Sequence, residues 1–342
     1  MRAVVLHAER DLRIEEFALP AIGPGDVMLR VRNGGICGSD LHYFQHGGFG
    51  VVRVKHPMVL GHEVAGEVIE IGSAVTSVRP GQLVAINPSL PCNACKFCRA
   101  GAQQHCLDMC FYGSAMRNPH VHGAFREMLV CPEAQAIPAD MPSERAAFAE
   151  PLAVCLHAAR QAGDLLGRRV LVTGAGPIGA LLVMVARAAG AAEIVATDLL
   201  DAPLAIVGKI GADRTINVRE TPEALTPYAA DKGLFDVVFE ASGSPQALAA
   251  AFAVLRPRGT FVQVGNNAGE PTIALNTVLA KEFTLRGTFR FHLEFAEAVQ
   301  ALASGRFDVS PLLTEIIPLS DAVRAFELAG DRARAMKVQL AF

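Results

Sequence analysis

The sequence lacks a strong excess of charge of either sign. Its 31 Lys and Arg residues stand against 34 Asp and Glu, a formal net charge of −3. Nothing in that balance favours a phosphate backbone or an anionic lipid surface, so nucleic acid and membrane drop out as expected partners. There is no low-complexity tract either. The 31 glycines and 20 prolines are spread along the chain, which excludes a collagen-like or linker-like polymer. An unbroken apolar run of bilayer length is also missing. The most apolar stretch, 170–197, has Arg168 and Arg169 before it, Arg187 inside it and Glu193 near its end. It reads as strand, turn, buried helix and strand rather than as a span. The opening MRAVVLHAERDLRIEEF shows no charged leader, apolar h-region or small-residue cleavage site. The expected compartment is therefore the reducing cytoplasm.

What the sequence does have is apolar bulk and cysteine. Hydrophobic residues make up 51% of the chain and charged residues 19%, enough for one or two packed cores. At about 150 residues per domain, 342 residues point to two. The first 140 residues are β-rich: RAVVLH, DLRIEEF, VMLRVRNG, EVAGEVIEIG and the end of GSAVTSVRPGQLVAINP are short runs broken by turn residues. The pattern changes near Ser143. ERAAFAEPLAVCLHAARQAG has helical spacing, and RRVLVTGAGPIGALLVMVARAAGAAEIVATD reads as strand, glycine turn, helix, strand. GLFDVVFEASG, LRPRGTFVQVG and FTLRGTF add strands, with a helix near 246–254 between them. This alternation predicts a parallel sheet with helices on both faces. After Phe289, two amphipathic helices and a terminal strand, MKVQLAF, complete the chain.

Eight cysteines are present, and four fall in C-x2-C-x2-C-x7-C: Cys92, Cys95, Cys98 and Cys106. In a reducing compartment such a cluster points to metal rather than disulfides. Four thiolates close a tetrahedral shell around Zn²⁺, a structural rather than a catalytic site. An iron–sulfur knuckle is the rival, but there the fourth Cys normally precedes Pro, and Leu107 stands here.

A second set is looser. Cys37 lies in GGICGSDLHY, His62 and Glu63 in VLGHEVAGEV, and Glu150 in FAEPLAV. A thiolate, an imidazole and one or two carboxylates hold Zn²⁺ while leaving a position open. Taken singly each is more often a core or surface residue, but Gly34, Gly35, Gly38, Gly61 and Gly66 surround them and permit tight turns. Asp40 is placed to orient the metal-bound imidazole. Ser39 and His42 are candidates for a proton relay to solvent.

A third set is a dinucleotide turn. Gly174, Gly176 and Gly179 form G-x-G-x-x-G, with Pro177 and Ile178 opening the helix after a predicted strand. Asp198 ends the next strand, where a carboxylate bonds the ribose hydroxyls of NAD and repels a 2′-phosphate. A Lewis-acid metal beside a nicotinamide is equipment for alcohol oxidation.

GHE-x2-G-x-V at 61–68, the four-Cys lobe and GAGPIG together resemble the zinc-dependent medium-chain dehydrogenases, along the whole chain. ICGSDLHY, FAEPLAV and GTFRF resemble the sorbitol dehydrogenase branch. The resemblance implies an α/β chain with three parts. A β-rich GroES-like catalytic domain spans 1–145 and carries the structural zinc lobe at about 88–110. A doubly wound Rossmann domain spans 146–287, and 288–342 returns to the catalytic domain. It implies one catalytic and one structural zinc, with NAD as cofactor. Cys37, His62 and Glu63 take the catalytic metal positions, and Glu150 reaches that metal directly or through water. Tyr43 and Arg290 match substrate contacts. Ile178, Asp198, Val264, Gly265, Asn266, Thr288 and Phe289 match cofactor contacts. The substrate implied is a sugar acid or polyol, and the assembly a dimer or tetramer. Polyol and threonine dehydrogenases remain open as sister activities, zinc-free quinone reductases as a sister class, and a non-enzymatic binder as a third. Two departures stand out: Pro203 replaces the basic residue usual five places after the ribose acid, and Phe291 replaces a Tyr.

Overall fold

The computed structural model describes residues 1–267 and 269–342. The chain forms two compact units. One comprises Met1–Ala153, Phe291–Asp331 and Lys337–Phe342, and the other Val154–Arg290 and Arg332–Met336. The dividing line falls inside the helix Ala149–Ala162, so Glu150 belongs to the first unit. Among the described residues no helix is long and apolar enough to cross a membrane.

The first unit is built around the strand Asp26–Gly35, whose burial alternates until both faces are covered at Asn33–Gly35. The strand Glu63–Ile71 pairs with it antiparallel along one edge. Along the other edge, Met128–Pro132 takes its first half and the C-terminal strand Lys337–Ala341 its last. The register decides which residues meet at the strand's end: Gly35 faces Glu63 on one side and Gln339 on the other. The chain then leaves the strand at Ile36 and Cys37 and turns into the helix Gly38–His46, which ends at Gly47 in the left-handed region. That helix interrupts the β-rich stretch. Its one charged first-turn residue, Asp40, caps it by accepting from the Cys37 N–H at 3.1 Å. The helix Glu294–Ala303 presents Phe295, Ala298, Val299 and Leu302 to the core, at the i, i+3, i+4, i+7 spacing of an amphipathic stripe.

The second unit is a six-stranded, wholly parallel sheet in the order 214–217, 193–198, 169–173, 235–240, 255–263, 284–287. Strand order reverses between 169–173 and 235–240. That is the topological switch point where open α/β sheets bind ligands at their strand C-termini. The strand 169–173 is buried from Val170 to Thr173, as a central parallel strand covered on both faces must be. The helix Pro177–Ala188 is buried from Gly179 through Ala186. Under the sheet, Phe252 packs edge-on against Phe261 at 5.0 Å, and Tyr228 stacks on Phe235 at 4.7 Å.

Candidate functional site

The fold brings Cys37, His62 and Glu63 together: one donor atom from each lies within 4.8 Å of the other two. Cys37 arrives at the N-cap of the helix Gly38–His46, and the other two at the start of the strand Glu63–Ile71. Asp40 braces these segments. One carboxylate oxygen accepts from the Cys37 N–H at 3.1 Å and the other from the Gly61 N–H at 3.2 Å. Asp40 is fully buried, so both bonds act in a low-dielectric setting. Its link to the imidazole is looser than the sequence suggests: His62 Nδ1 lies 3.8 Å from Asp40 Oδ1, too far for a hydrogen bond. The brace acts through the backbone instead. Gly61 adopts φ +91°, and the Phe125 ring occupies the space a Cβ would need, which leaves no room for a side chain. Gly35 has its own constraint: a Cβ there would collide with the Glu63 carboxylate.

Lys337, from the C-terminal strand, was not legible as part of this site. Its ammonium lies 2.7 Å and 2.5 Å from the two oxygens of Glu63 and donates to the Ile36 carbonyl at 3.1 Å. Lysine and glutamate are 4% and 1% exposed, a buried ion pair. Burial pushes the Cys37 thiol up to about 12, reinforced by the Glu63 charge. Burial also raises the Glu150 carboxyl to about 8, against a lowering by His62. The charges of Glu63, Cys37 and Lys337 all act on Glu150, although it is not among the three residues whose donor atoms converge. A divalent cation reverses this balance, because it favours the thiolate and carboxylate that burial disfavours. His62 Nδ1 is a buried nitrogen with no hydrogen-bond partner. The donors present therefore fit a zinc with three protein ligands and an open position.

Ser39 and His42 lie one helical turn apart on Gly38–His46, half-buried and exposed respectively, and no hydrogen bond joins them among the described residues. Partial burial, and then the charge of His46, lowers the His42 pKa. Tyr43 is buried, and its hydroxyl accepts from the Ala115 N–H at 3.1 Å.

The four-cysteine lobe is assembled: Cys92, Cys95, Cys98 and Cys106 place their sulfurs within 4.8 Å of one another, unbridged by disulfide. Cys95 and Cys98 sulfurs are 3.5 Å apart, near the ~3.8 Å edge of a zinc–sulfur tetrahedron. Backbone N–H groups of Cys92 and Asp108 donate to Cys106 Sγ, and those of Ala94 and Cys95 to Cys92 Sγ. Such donors stabilise thiolates, and the Ala94 and Cys95 N–H groups lower the Cys92 pKa.

In the second unit the glycine turn has the form its spacing predicts. A Cβ on Gly179 would strike the Gly174 carbonyl, and one on Gly174 would come within 2.8 Å of Ser242. At Gly176, the N-cap of the 12-residue helix Pro177–Ala188, a Cβ would meet nothing nearer than 4.0 Å. An open backbone at a helix N-terminus can hold an anionic group such as a pyrophosphate. Ile178 lies in the helix's first turn, its carbonyl 3.5 Å from Cys155 Sγ. Asp198 ends its strand and takes the Ala175 N–H at 2.7 Å.

Glu240, unmarked in the sequence, organises the rest of this crevice. It is fully buried. Its carboxylate accepts from the Ser242 and Gly243 N–H groups at 2.8 and 3.0 Å and from Gln263 Nε2 at 2.6 Å. Its carbonyl accepts from Val264 and Gly265 at 2.9 and 2.7 Å. One residue thus fixes the ends of neighbouring strands where Val264, Gly265 and Asn266 begin. Thr288 follows the last strand and donates its N–H to the Gln263 carbonyl. Phe289 is 43% exposed, with the Arg290 guanidinium 5.0 Å over its ring. Phe291, the expected tyrosine's replacement, is buried against Phe295.

Sequence comparison matches residues 23–142 to the alcohol dehydrogenase GroES-like domain and residues 177–304 to the zinc-binding dehydrogenase domain. The chain belongs to the zinc-dependent, medium-chain alcohol dehydrogenase family and is an oxidoreductase. It is 45% identical over 318 residues to the L-idonate 5-dehydrogenase (NAD(P)(+)) of Escherichia coli K12, covering 92% of each chain. The crystal structure of the L-idonate 5-dehydrogenase from Escherichia coli K-12 superposes with a TM-score of 0.96 over all of this chain and 98% of that one, at 41% identity. The sorbitol dehydrogenase of Gallus gallus is 36% identical over 343 residues, 99% of this chain and 95% of its own.

Proposed function

We propose that the chain oxidises L-idonate at C5 to 5-keto-D-gluconate with a nicotinamide dinucleotide, and catalyses the reverse reduction. The observation that carries this reading is the convergence of Cys37, His62 and Glu63 in a chain so similar to the Escherichia coli enzyme. Those three residues would hold a catalytic zinc with Glu150 beside them, and Cys92, Cys95, Cys98 and Cys106 a structural one. When bound, zinc lowers the pKa of the substrate hydroxyl and the nicotinamide accepts hydride at C4.

The chain's own residues do the rest. Ser39 takes the hydroxyl proton, and His42, whose pKa is lowered by partial burial and by the charge of His46, passes it to solvent. A bound nicotinamide would take up the C5 hydride, and the hydroxyl proton would leave by the Ser39 and His42 route. Arg290 supplies a guanidinium fork for the substrate carboxylate, and Tyr43 bounds the sugar chain. Asp40 keeps the Cys37 and His62 segments in register throughout. Gly174, Gly176, Pro177 and Gly179 cradle the pyrophosphate, and Asp198, Val264, Gly265, Asn266, Thr288 and Phe289 complete the dinucleotide site. The protein works in the cytoplasm as a homodimer or homotetramer.

The test is NAD reduction at mildly alkaline pH with L-idonate, sorbitol and L-threonine in parallel, with zinc counted on the same sample. A clear kcat/KM preference for idonate with about two zincs per chain is the expected result. Preference for sorbitol or threonine moves the substrate to a sister activity and leaves the mechanism standing.

A further inference from the structure

The ribose-binding acid of the dinucleotide crevice is occupied on every side. Asp198 Oδ1 accepts from the Leu199 and Leu200 N–H groups at 2.7 and 3.2 Å. Its Oδ2 accepts from the Ala175 N–H at 2.7 Å and from Arg332 Nη2, also at 2.7 Å. The pair is asymmetric: the Asp198 side chain is 2% exposed and that of Arg332 54%. The same Nη2 is the atom 4.0 Å from the place a Gly176 Cβ would occupy. The guanidinium therefore hangs at the open rim of the crevice, between the pyrophosphate cradle and the acid. Arg332 is 134 residues from Asp198 and belongs to the short segment Arg332–Met336 that packs with this unit.

From these contacts we infer that Arg332 determines cofactor choice: it binds the 2′-phosphate of NADP, offsets the charge of Asp198, and lets the chain use NADP as well as NAD. This rests on the dinucleotide reading given above. A bare carboxylate at this strand end takes the ribose hydroxyls and repels a 2′-phosphate, whereas an adjacent arginine accommodates it. Here both are present. Asp198 is held rigid by three backbone N–H groups, so it stays in place when the Arg332 nitrogen yields its contact to a ribose hydroxyl. Arg332 spends one nitrogen on Asp198, and a guanidinium offers five N–H donors in a planar fork that matches phosphate. The position that usually carries the cation, five places after the acid, is Pro203, and it is buried. The cation is supplied from the far end of the sequence instead.

The alternative partner for Arg332 is the pyrophosphate, which both cofactors share, and binding measurements separate the two. NADH and NADPH are titrated into the zinc-loaded protein by nicotinamide fluorescence, for the parent, Arg332→Ala and Arg332→Lys. Adenosine 2′,5′-bisphosphate and 5′-AMP serve as probes of the adenosine end alone. For Arg332→Ala the NADPH Kd should rise about tenfold or more while the NADH Kd moves less than about threefold. The bisphosphate should follow NADPH and AMP should follow NADH. Arg332→Lys should fall between, because it keeps the charge and loses the fork; it also serves as the reporter should the alanine variant misfold. Equal weakening of both cofactors places Arg332 on the pyrophosphate and overturns the inference. So does an unchanged NADPH affinity, or a parent protein that binds NADH and not NADPH. A parent that binds neither dinucleotide overturns instead the cofactor reading beneath it.

Discussion

The ammonium of Lys337 sits between the Glu63 carboxylate and the Ile36 carbonyl, 2.7 Å from one and 3.1 Å from the other. The C-terminal strand therefore neutralises a carboxylate in the candidate metal-binding group of Cys37, His62 and Glu63. Removing one member of a buried pair strands the other charge, at a cost of roughly 3–5 kcal/mol. Lys337→Met should consequently lower the melting temperature of chelator-treated protein by several degrees. Zinc carries positive charge to the same carboxylate, so the loss should be smaller in the zinc-loaded protein. Thermal unfolding of both variants with and without zinc tests this. An equal loss in the two states would remove Glu63 from the metal's ligands.

The two cysteine sites should separate cleanly on mutation. Cys37→Ser removes a ligand from the open site and leaves the four-sulfur lobe intact, so activity should vanish while about one zinc per chain is retained. Cys95→Ser should also leave about one zinc, but the loss falls on the lobe between Ser89 and Phe111. Stability should drop there first, read as faster proteolysis between Cys92 and Asp108. Full activity in the Cys37 variant would refute the catalytic assignment.

What could be read from the sequence was local. The glycine turn and the four-cysteine knuckle each fit within about 15 residues, and their geometry follows from spacing that allows little else. The parallel sheet was legible for a similar reason, since buried apolar runs alternated with helical ones. Cys37 and His62 were legible because glycines crowd them, and Gly35 and Gly61 do prove to lack room for a side chain. Lys337 was not. It meets Glu63 across 274 residues, through the register that sets Gln339 opposite Gly35. Arg332 meets Asp198 across 134 residues, from a turn that packs with the second unit. The helix Gly38–His46 was hidden by its β-rich surroundings and by a sequence with little apolar periodicity. Asp40 is expected from the sequence to orient the metal-bound imidazole, but its hydrogen-bond partners are backbone N–H groups, which no pattern of side chains reveals.

Arg290 offers a test of substrate class. It adopts φ +53°, a left-handed conformation unusual for a side chain this large, directly after Phe289. A strained backbone is retained where it aims a group usefully. If the guanidinium binds the aldonate carboxylate, Arg290→Ala should reduce kcat/KM for L-idonate by roughly 10- to 100-fold, the worth of a charge-assisted pair. Turnover of a neutral polyol such as sorbitol should fall much less. Equal loss on both substrates would assign Arg290 to the cofactor or to the fold.

Glu150 gives the protein a pH signature that should appear only without metal. Burial lifts its carboxyl from the ordinary 4.5 to about 8, so between these values the folded chain holds a proton that the unfolded chain has released. Folding stability then falls as pH rises through that window. The contribution is fully present below about 4.5 and gone above about 8. Glu150→Gln keeps the shape and cannot ionise. In chelator-treated protein, the urea midpoint of the parent should decline relative to this variant as pH goes from 5 to 8, with the variant the more stable at pH 8. Zinc held by Cys37, His62 and Glu63 would supply positive charge beside Glu150, and so would favour the ionised carboxylate. Adding zinc should therefore shrink the pH-dependent gap between parent and variant. A gap that is the same at every pH in metal-free protein would show that the Glu150 carboxyl ionises normally in the folded chain. The same midpoints measured with zinc present then report whether the metal's charge reaches Glu150 at all.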